Sequence, residues 1–116
     1  MLDKTKQDWQ TQAEGLEIEG RAFVNGQYQD ALTGETRPTT SPADGKKIAD
    51  VANCGTEDAD QAGKVARATL EGGVWASMAP ADRKMVLVRW AELIEKHADE
   101  IALLECLDVG KPIADT

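Results

Sequence analysis

The stretch Pro80-Ala81-Asp82-Arg83-Lys84-Met85-Val86-Leu87-Val88-Arg89-Trp90-Ala91-Glu92-Leu93-Ile94-Glu95-Lys96-His97 decides how the fold is read. Val86, Trp90, Leu93, Ile94 and His97 follow one another at steps of mostly three and four, and Ile101 and Leu104 extend the series. Such steps place side chains on one face of an α-helix, which turns once in about 3.6 residues. Pro80 suits the first turn and Asp82 complements the positive helix end, while Gly110 followed by Lys111 and Pro112 stops the helix. The spacing therefore predicts one long helix of roughly thirty residues. Glu92, Glu95, Lys96 and Asp99 take the opposite face. Leu103 and Leu107 rotate away from the main stripe, which predicts burial on two sides near the carboxyl end.

Working back along the chain, Thr56 followed by Glu57 and Asp58 reads as a helix start, with negative charge where unpaired N–H groups lie. Its apolar face is Ala59, Ala62, Val65, Ala66, Thr69 and Leu70, and Gly72-Gly73 ends it. The small side chains on that face predict close packing against a neighbour. Two β-hairpins are expected before it. Asn25-Gly26 lies between short apolar and aromatic runs, and both residues tolerate the positive φ of a tight turn. Thr36 to Ser41, the turn Pro42-Ala43-Asp44-Gly45 and Lys47 to Ala52 form the second hairpin. At the amino terminus, Trp9, Ala13 and Leu16 keep an approximate helical spacing and predict a short helix in an arm over residues 1–20, with residues 21–116 forming the main body.

The 116 residues carry 21 acids against 13 bases, a net charge of -8, which opposes binding to nucleic acid or an anionic membrane surface. Only five aromatic side chains (Trp9, Phe23, Tyr28, Trp75 and Trp90) are available to fill a core. The opening residues Met1 to Trp9 lack the apolar run of a secretory signal, and the aliphatic runs Met85 to Val88 and Ile101 to Leu104 fall far short of the roughly 20 residues of a membrane span. The expected address is cytoplasmic. Cys54 and Cys106 show no Cys-x-x-Cys spacing and read as free thiols, Cys54 being the better thiolate candidate beside a helix start.

His97, the one histidine, has Glu100 three residues on, yet its place in the apolar stripe favours a packed or hydrogen-bonded role over a catalytic one. Neither Gly-x-Gly-x-x-Gly nor Gly-x-x-x-x-Gly-Lys-Ser/Thr is present, so the glycines read as turn residues rather than a phosphate cradle.

Several stretches in fixed order carry a resemblance. They are Phe23-Val24-Asn25-Gly26; Ser41-Pro42-Ala43-Asp44-Gly45 with Ile48-Ala49-Asp50-Val51-Ala52; Val65-Ala66-Arg67 leading to Trp75; Pro80-x-x-Arg83; Ala91-x-Leu93-Ile94-Glu95; and Leu103-Leu104-Glu105-Cys106-Leu107-Asp108-Val109-Gly110-Lys111-Pro112-Ile113. Together they resemble the amino-terminal portion of the NAD(P)-dependent aldehyde dehydrogenase superfamily, the last being similar to its Leu-Glu-x-Leu-Asp-x-Gly-Lys-Pro signature. Within the superfamily, Trp9, the Ala13 to Leu16 segment and Arg21 to Tyr28 look most like the gamma-glutamyl-gamma-aminobutyraldehyde dehydrogenase branch. Ser41 stands where the family usually has Asn, Ala79 where it has Ser or Thr, and Leu70 where Phe is common.

The resemblance implies an α/β fold: the amino-terminal part of a Rossmann-like cofactor-binding domain, with two β-hairpins and two to three helices including one long helix. It implies a parent enzyme that oxidises a small aldehyde to a carboxylate with NAD or NADP and works as a homo-oligomer. The family's catalytic cysteine, general base and nucleotide-binding residues belong to motifs beyond Pro112, so no catalytic or cofactor-binding residue is assigned here and the segment alone is expected to be inactive. Matched residue by residue, the family's monovalent cation site falls on Thr39, Thr40 and Asp108, whose carbonyl and carboxylate oxygens suit sodium or potassium; a local capping role for Asp108 is the plain alternative. Two other readings stand beside the enzyme segment: a non-catalytic helical module that binds a partner or itself through the long helix, and a small enzyme using His97 with a carboxylate.

Overall fold

The computed structural model describes residues 4–116; the first three residues of the expected arm lie outside the described residues. The chain runs α1 (Lys6–Glu14), β1 (Ala22–Val24), β2 (Gln27–Gln29), β3 (Thr36–Thr40), β4 (Lys47–Ala52), α2 (Thr56–Glu71), α3 (Pro80–Lys96), α4 (Ala98–Val109) and a short 3-10 turn at Ile113–Asp115. The α/β character and both hairpins match the sequence reading.

Local chemistry explains most boundaries. Thr5 caps α1 in a reciprocal pair, its hydroxyl accepting from the Asp8 N–H while the Asp8 carboxylate accepts from the Thr5 N–H at 2.7 Å. The β1–β2 turn places Asn25 at φ 55° and Gly26 at φ 74°, the two left-handed positions of a hairpin whose twist matches its strands. Phe23 and Tyr28 stand directly across that hairpin with ring centroids 5.0 Å apart, edge to face. In the second hairpin β3 pairs antiparallel with β4, with a register shift between Thr39 and Thr40. The two hairpins form separate two-stranded sheets. The arm runs past the second one, where the Ala52 N–H donates to the Gly20 carbonyl at 2.8 Å.

At α2 the helix begins at Thr56 as expected, but its N-cap is Gly55, and the carboxylate that serves the end is Asp58. Asp58 accepts from the Gly55 N–H at 2.8 Å and from the Leu32 N–H at 2.9 Å, so it closes the first turn and ties α2 to the segment after β2. Those two bonds hold its carboxyl below the usual carboxylate range, against the opposing effect of burial. A group whose folded pKa is depressed contributes stability above its unfolded value, and that contribution disappears as pH falls through the folded value. Asp58→Ala is therefore expected to lower the melting temperature at pH 6 and to differ much less from the parent at pH 2; equal differences at both pH values would contradict this role.

The long helix is divided. His97 leaves the helical conformation at φ -105°, ψ 16°, separating α3 from α4. Asp99 and Glu100 then supply the negative first turn of a new helix, and Lys4 from the arm grips Asp99 at 2.6 Å while lying 4.6 Å from the Trp9 ring centre. This break redirects the apolar faces. Ala102 and Leu103 of α4 are buried, whereas Ile101, on the stripe that sequence spacing favours, is exposed. The covered side of α4 faces α1 across a cleft lined by Trp9, Ala13, Leu103, Cys106, Leu107 and Ile113.

Among the described residues the buried apolar set is Trp9, Ala31, Ala102 and Leu103, and α3 contains no buried residue at all. The radius of gyration is 17.7 Å, against about 13 Å for a compact domain of this length. The extents of 48 × 39 × 20 Å describe an open, plate-like arrangement rather than a closed core. No described helix is long and apolar enough to cross a membrane.

Candidate functional site

The strongest convergence of motifs lies where the β3–β4 loop meets the end of α4. The register shift at Thr39 and Thr40 turns the end of β3, and Ser41 then organises the loop. Ser41 is buried; its N–H donates to the Lys46 carbonyl at 2.9 Å, its carbonyl accepts from Gly45 at 2.8 Å and its hydroxyl accepts from the Ala43 N–H at 3.3 Å. These bonds hold Pro42 outward toward the helix end. From the other side, α4 terminates at Gly110, whose φ of 72° and ψ of 18° form a left-handed cap and whose N–H donates to the Cys106 carbonyl at 3.1 Å.

Gly110 lies against the Pro42 ring, so closely that a Cβ there would come within 2.8 Å of the proline Cγ. Beside this contact the Thr39 hydroxyl donates to Asp108 Oδ1 at 3.1 Å. The structure thus brings together two of the three residues implied as cation ligands. Asp108 is engaged over long range rather than capping its own helix. Thr40 is the next residue along the strand, opposite Lys47, and its side chain is exposed.

The donor chemistry is one carboxylate, threonine oxygens and the terminal carbonyls of a helix that has no further turn to pair them. Hard oxygen atoms with a single negative charge suit a monovalent cation better than a transition metal. Among the described residues there is no cluster of three or more His, Cys, Asp or Glu that would hold a metal of the latter kind.

The remaining candidates do not assemble a reactive centre. His97 Nδ1 sits 3.3 Å from Glu100 Oε2 at the α3–α4 break and is about half exposed, a hydrogen-bonded surface histidine. Neither group bonds a hydroxyl or thiol among the described residues. Cys54 is exposed ahead of α2 and Cys106 is half-buried behind α1, and both thiols are free. Sequence reasoning missed Pro42 and Gly20 as contact points, because each matters through a partner far along the chain: Gly110 for the first, Asp50 for the second.

The chain as a whole is similar to known proteins. The model of the aldehyde dehydrogenase family matches residues 28–116. The chain is 42% identical over 111 residues to aminoacetaldehyde dehydrogenase of Pseudomonas aeruginosa, covering 96% of this chain and 22% of that protein. It is 46% identical over 105 residues to the NADP/NAD-dependent aldehyde dehydrogenase PuuC of Escherichia coli, covering 90% of this chain and 21% of that protein. A crystal structure of gamma-glutamyl-gamma-aminobutyraldehyde dehydrogenase from Burkholderia cenocepacia superposes with a TM-score of 0.92 at 51% identity, over 94% of this chain and 22% of that one. The fold is that of the amino-terminal part of such structures. The chain belongs to the aldehyde dehydrogenase family. It spans about a fifth of the length of the curated relatives it matches.

Proposed function

We propose that this chain supplies the amino-terminal portion of an NAD(P)-dependent aldehyde dehydrogenase of the aminoaldehyde-oxidising kind, with gamma-glutamyl-gamma-aminobutyraldehyde as the favoured substrate class. The observation that carries the reading is the contact of Pro42 and Thr39 with Gly110 and Asp108, which joins the two most specific motifs of the resemblance across the fold. NAD or NADP would accept the hydride in the whole reaction. The glycine-rich fingerprints of a dinucleotide site are absent from this sequence, so no step through the nucleotide is assigned to these residues. The role of this portion is architectural. The arm, described over residues 4–20, leads into residues 21–116, which hold the β3–β4 loop against the end of α4, where Thr39, Thr40 and Asp108 bind sodium or potassium. The whole enzyme is a homo-oligomer.

Replacing the corresponding segment of the Escherichia coli PuuC relative by residues 1–116 tests this directly. The chimera is expected to form NADH or NADPH from gamma-glutamyl-gamma-aminobutyraldehyde at a rate within about tenfold of the parent, a span equivalent to ~1.4 kcal/mol in the barrier. A folded chimera with no activity toward any aminoaldehyde would overturn the assignment. For the cation, potassium or sodium is expected to raise the melting temperature of the chain at constant ionic strength, and Thr39→Val and Asp108→Asn are expected to abolish the rise. A melting temperature indifferent to both ions in the chain and in the chimera would remove the cation from the proposal.

A further inference from the structure

Among the described residues, a single side chain hydrogen-bonds the α1 end of the arm to another element. Lys4 Nζ donates to Asp99 Oδ2 in the first turn of α4 at 2.6 Å and to Gln12 Oε1 on α1 at 2.7 Å, and it lies 4.6 Å from the Trp9 ring centre. The other hydrogen bonds of the arm up to Glu19 are local: Thr5 with Asp8 and with the Trp9 N–H, the Thr11 hydroxyl with the Gln7 carbonyl, the Leu16 N–H with the Ala13 carbonyl, and Glu19 with Arg21. The chain is next clamped at Gly20, whose carbonyl accepts from the Ala52 N–H at 2.8 Å. Residues 15–19 therefore act as a connector between two fixed points.

The helix so tethered is short. α1 has nine residues, fewer than the roughly 12–15 at which a helix becomes even marginally stable by itself in water. Its capping box closes one end, but its one buried side chain is Trp9, which faces Leu103 and Leu107 across the cleft beside α4. Folding of α1 and its docking on α4 are thus one event, since the helix lacks the length to persist undocked. Lys4 occupies the position that touches both partners, reaching α1 through Gln12 and the Trp9 ring and α4 through Asp99. The same contact holds the Asp99 carboxyl below the usual carboxylate range.

We propose that α1 is a strap that folds as it docks along α4 and leaves it as a unit while β3, β4 and α2 stay folded, with Lys4 as its latch and residues 15–19 as its hinge. The proposal rests on these contacts and not on the enzymatic reading. Trp9 supplies the apolar hold, and the Lys4–Asp99 pair sets how often the strap opens.

Hydrogen–deuterium exchange, read peptide by peptide on the 116-residue chain and on the same residues within the chimera, is the test. The amides of α1 are expected to be protected about tenfold less than those of β4, as a local opening requires. Lys4→Met keeps most of the aliphatic stem and removes the charge; it should lower α1 protection a further fivefold or so and leave β3, β4 and α2 unchanged. Asp99→Asn should act alike, and the two together should add little to either alone. Lys4→Arg retains the charge and should stay close to the parent. At about 1 M salt the parent should approach Lys4→Met, because screening weakens a pair whose side chains are each 34% exposed. Protection of α1 equal to that of β4 in either protein would overturn the proposal. So would a Lys4→Met effect that is absent or spread equally over all elements, or a Lys4→Arg variant as weakly protected as Lys4→Met. Activity of the chimera plays no part in these readouts, so the two proposals fail separately.

Discussion

Gly20→Ala is expected to remove about 3 kcal/mol of stability, while the same substitution at Gly63 is expected to add ~1 kcal/mol. Gly20 stands between Glu19 and Arg21, and Gly63 between Ala62 and Lys64. Their surroundings differ completely. A Cβ at Gly20 would overlap the carbonyl oxygen of Asp50 and lie 3.1 Å from the carbon of that carbonyl and 3.3 Å from Val51 Cα. These are backbone atoms of a paired strand, so neither can rotate aside. The arm must instead lift from β4, which sacrifices the 2.8 Å bond from Ala52 to Gly20 and leaves an acceptor and a donor to find water. The loss then spreads, because residues 15–20 connect α1 to the hairpins and Trp9 is the buried anchor of α1. Gly63, by contrast, has open space around the position of its missing Cβ in the middle of α2, and alanine there only restricts the unfolded chain and favours the helix. Urea denaturation of the two variants gives shifts of opposite sign if the close approach at Gly20 is as described. Two shifts of the same sign would refute it.

What could be read from the sequence was what neighbours decide. The Asn25-Gly26 turn needs positive φ at both positions, and only a few residue types supply it, so the hairpin is written in two letters. The stop at Gly110 is local in the same way. The break at His97 is less so: the hydrophobic spacing runs through it without interruption, and Lys4 holds Asp99, just past the break, from an arm 95 residues away in sequence. Asp58 shows the same limit. Its charge near a helix start was legible, but its bond to Leu32 depends on where the chain after β2 returns. For the candidate site, composition and periodicity carried nothing: Thr39 and Asp108 are 69 residues apart, and only the resemblance placed them together. The openness of the structure has a related cause. Spacing shows which face of α3 is apolar, but not that none of the described residues buries it.

Gly110→Ala should destabilise the chain by about 3 kcal/mol, from two separable causes. The first is intrinsic: a Cβ at φ 72° meets its own carbonyl, costing roughly 1–2 kcal/mol. The second is the Pro42 ring, whose Cγ would stand 2.8 Å from the new methyl group. A proline ring has no rotamer to escape into, and its loop is held by the buried Ser41, so the strain falls on the contact between the loop and α4. Gly110→Asn separates the causes, since asparagine tolerates the left-handed region but still carries a Cβ against Pro42. Pro42→Ala separates them from the other side. In the Gly110→Ala background it relieves the overlap and should recover roughly 1 kcal/mol, whereas alone it should be mildly destabilising; the non-additivity of the pair measures the contact. The same displacement should move Asp108 away from the Thr39 hydroxyl, now 3.1 Å distant, so Gly110→Ala should also erase the proposed stabilisation by potassium or sodium. Chemical denaturation of the four proteins with and without the cation is the measurement. If Gly110→Ala lies within ~0.5 kcal/mol of the parent, neither the backbone nor the Pro42 contact constrains this corner as the geometry requires.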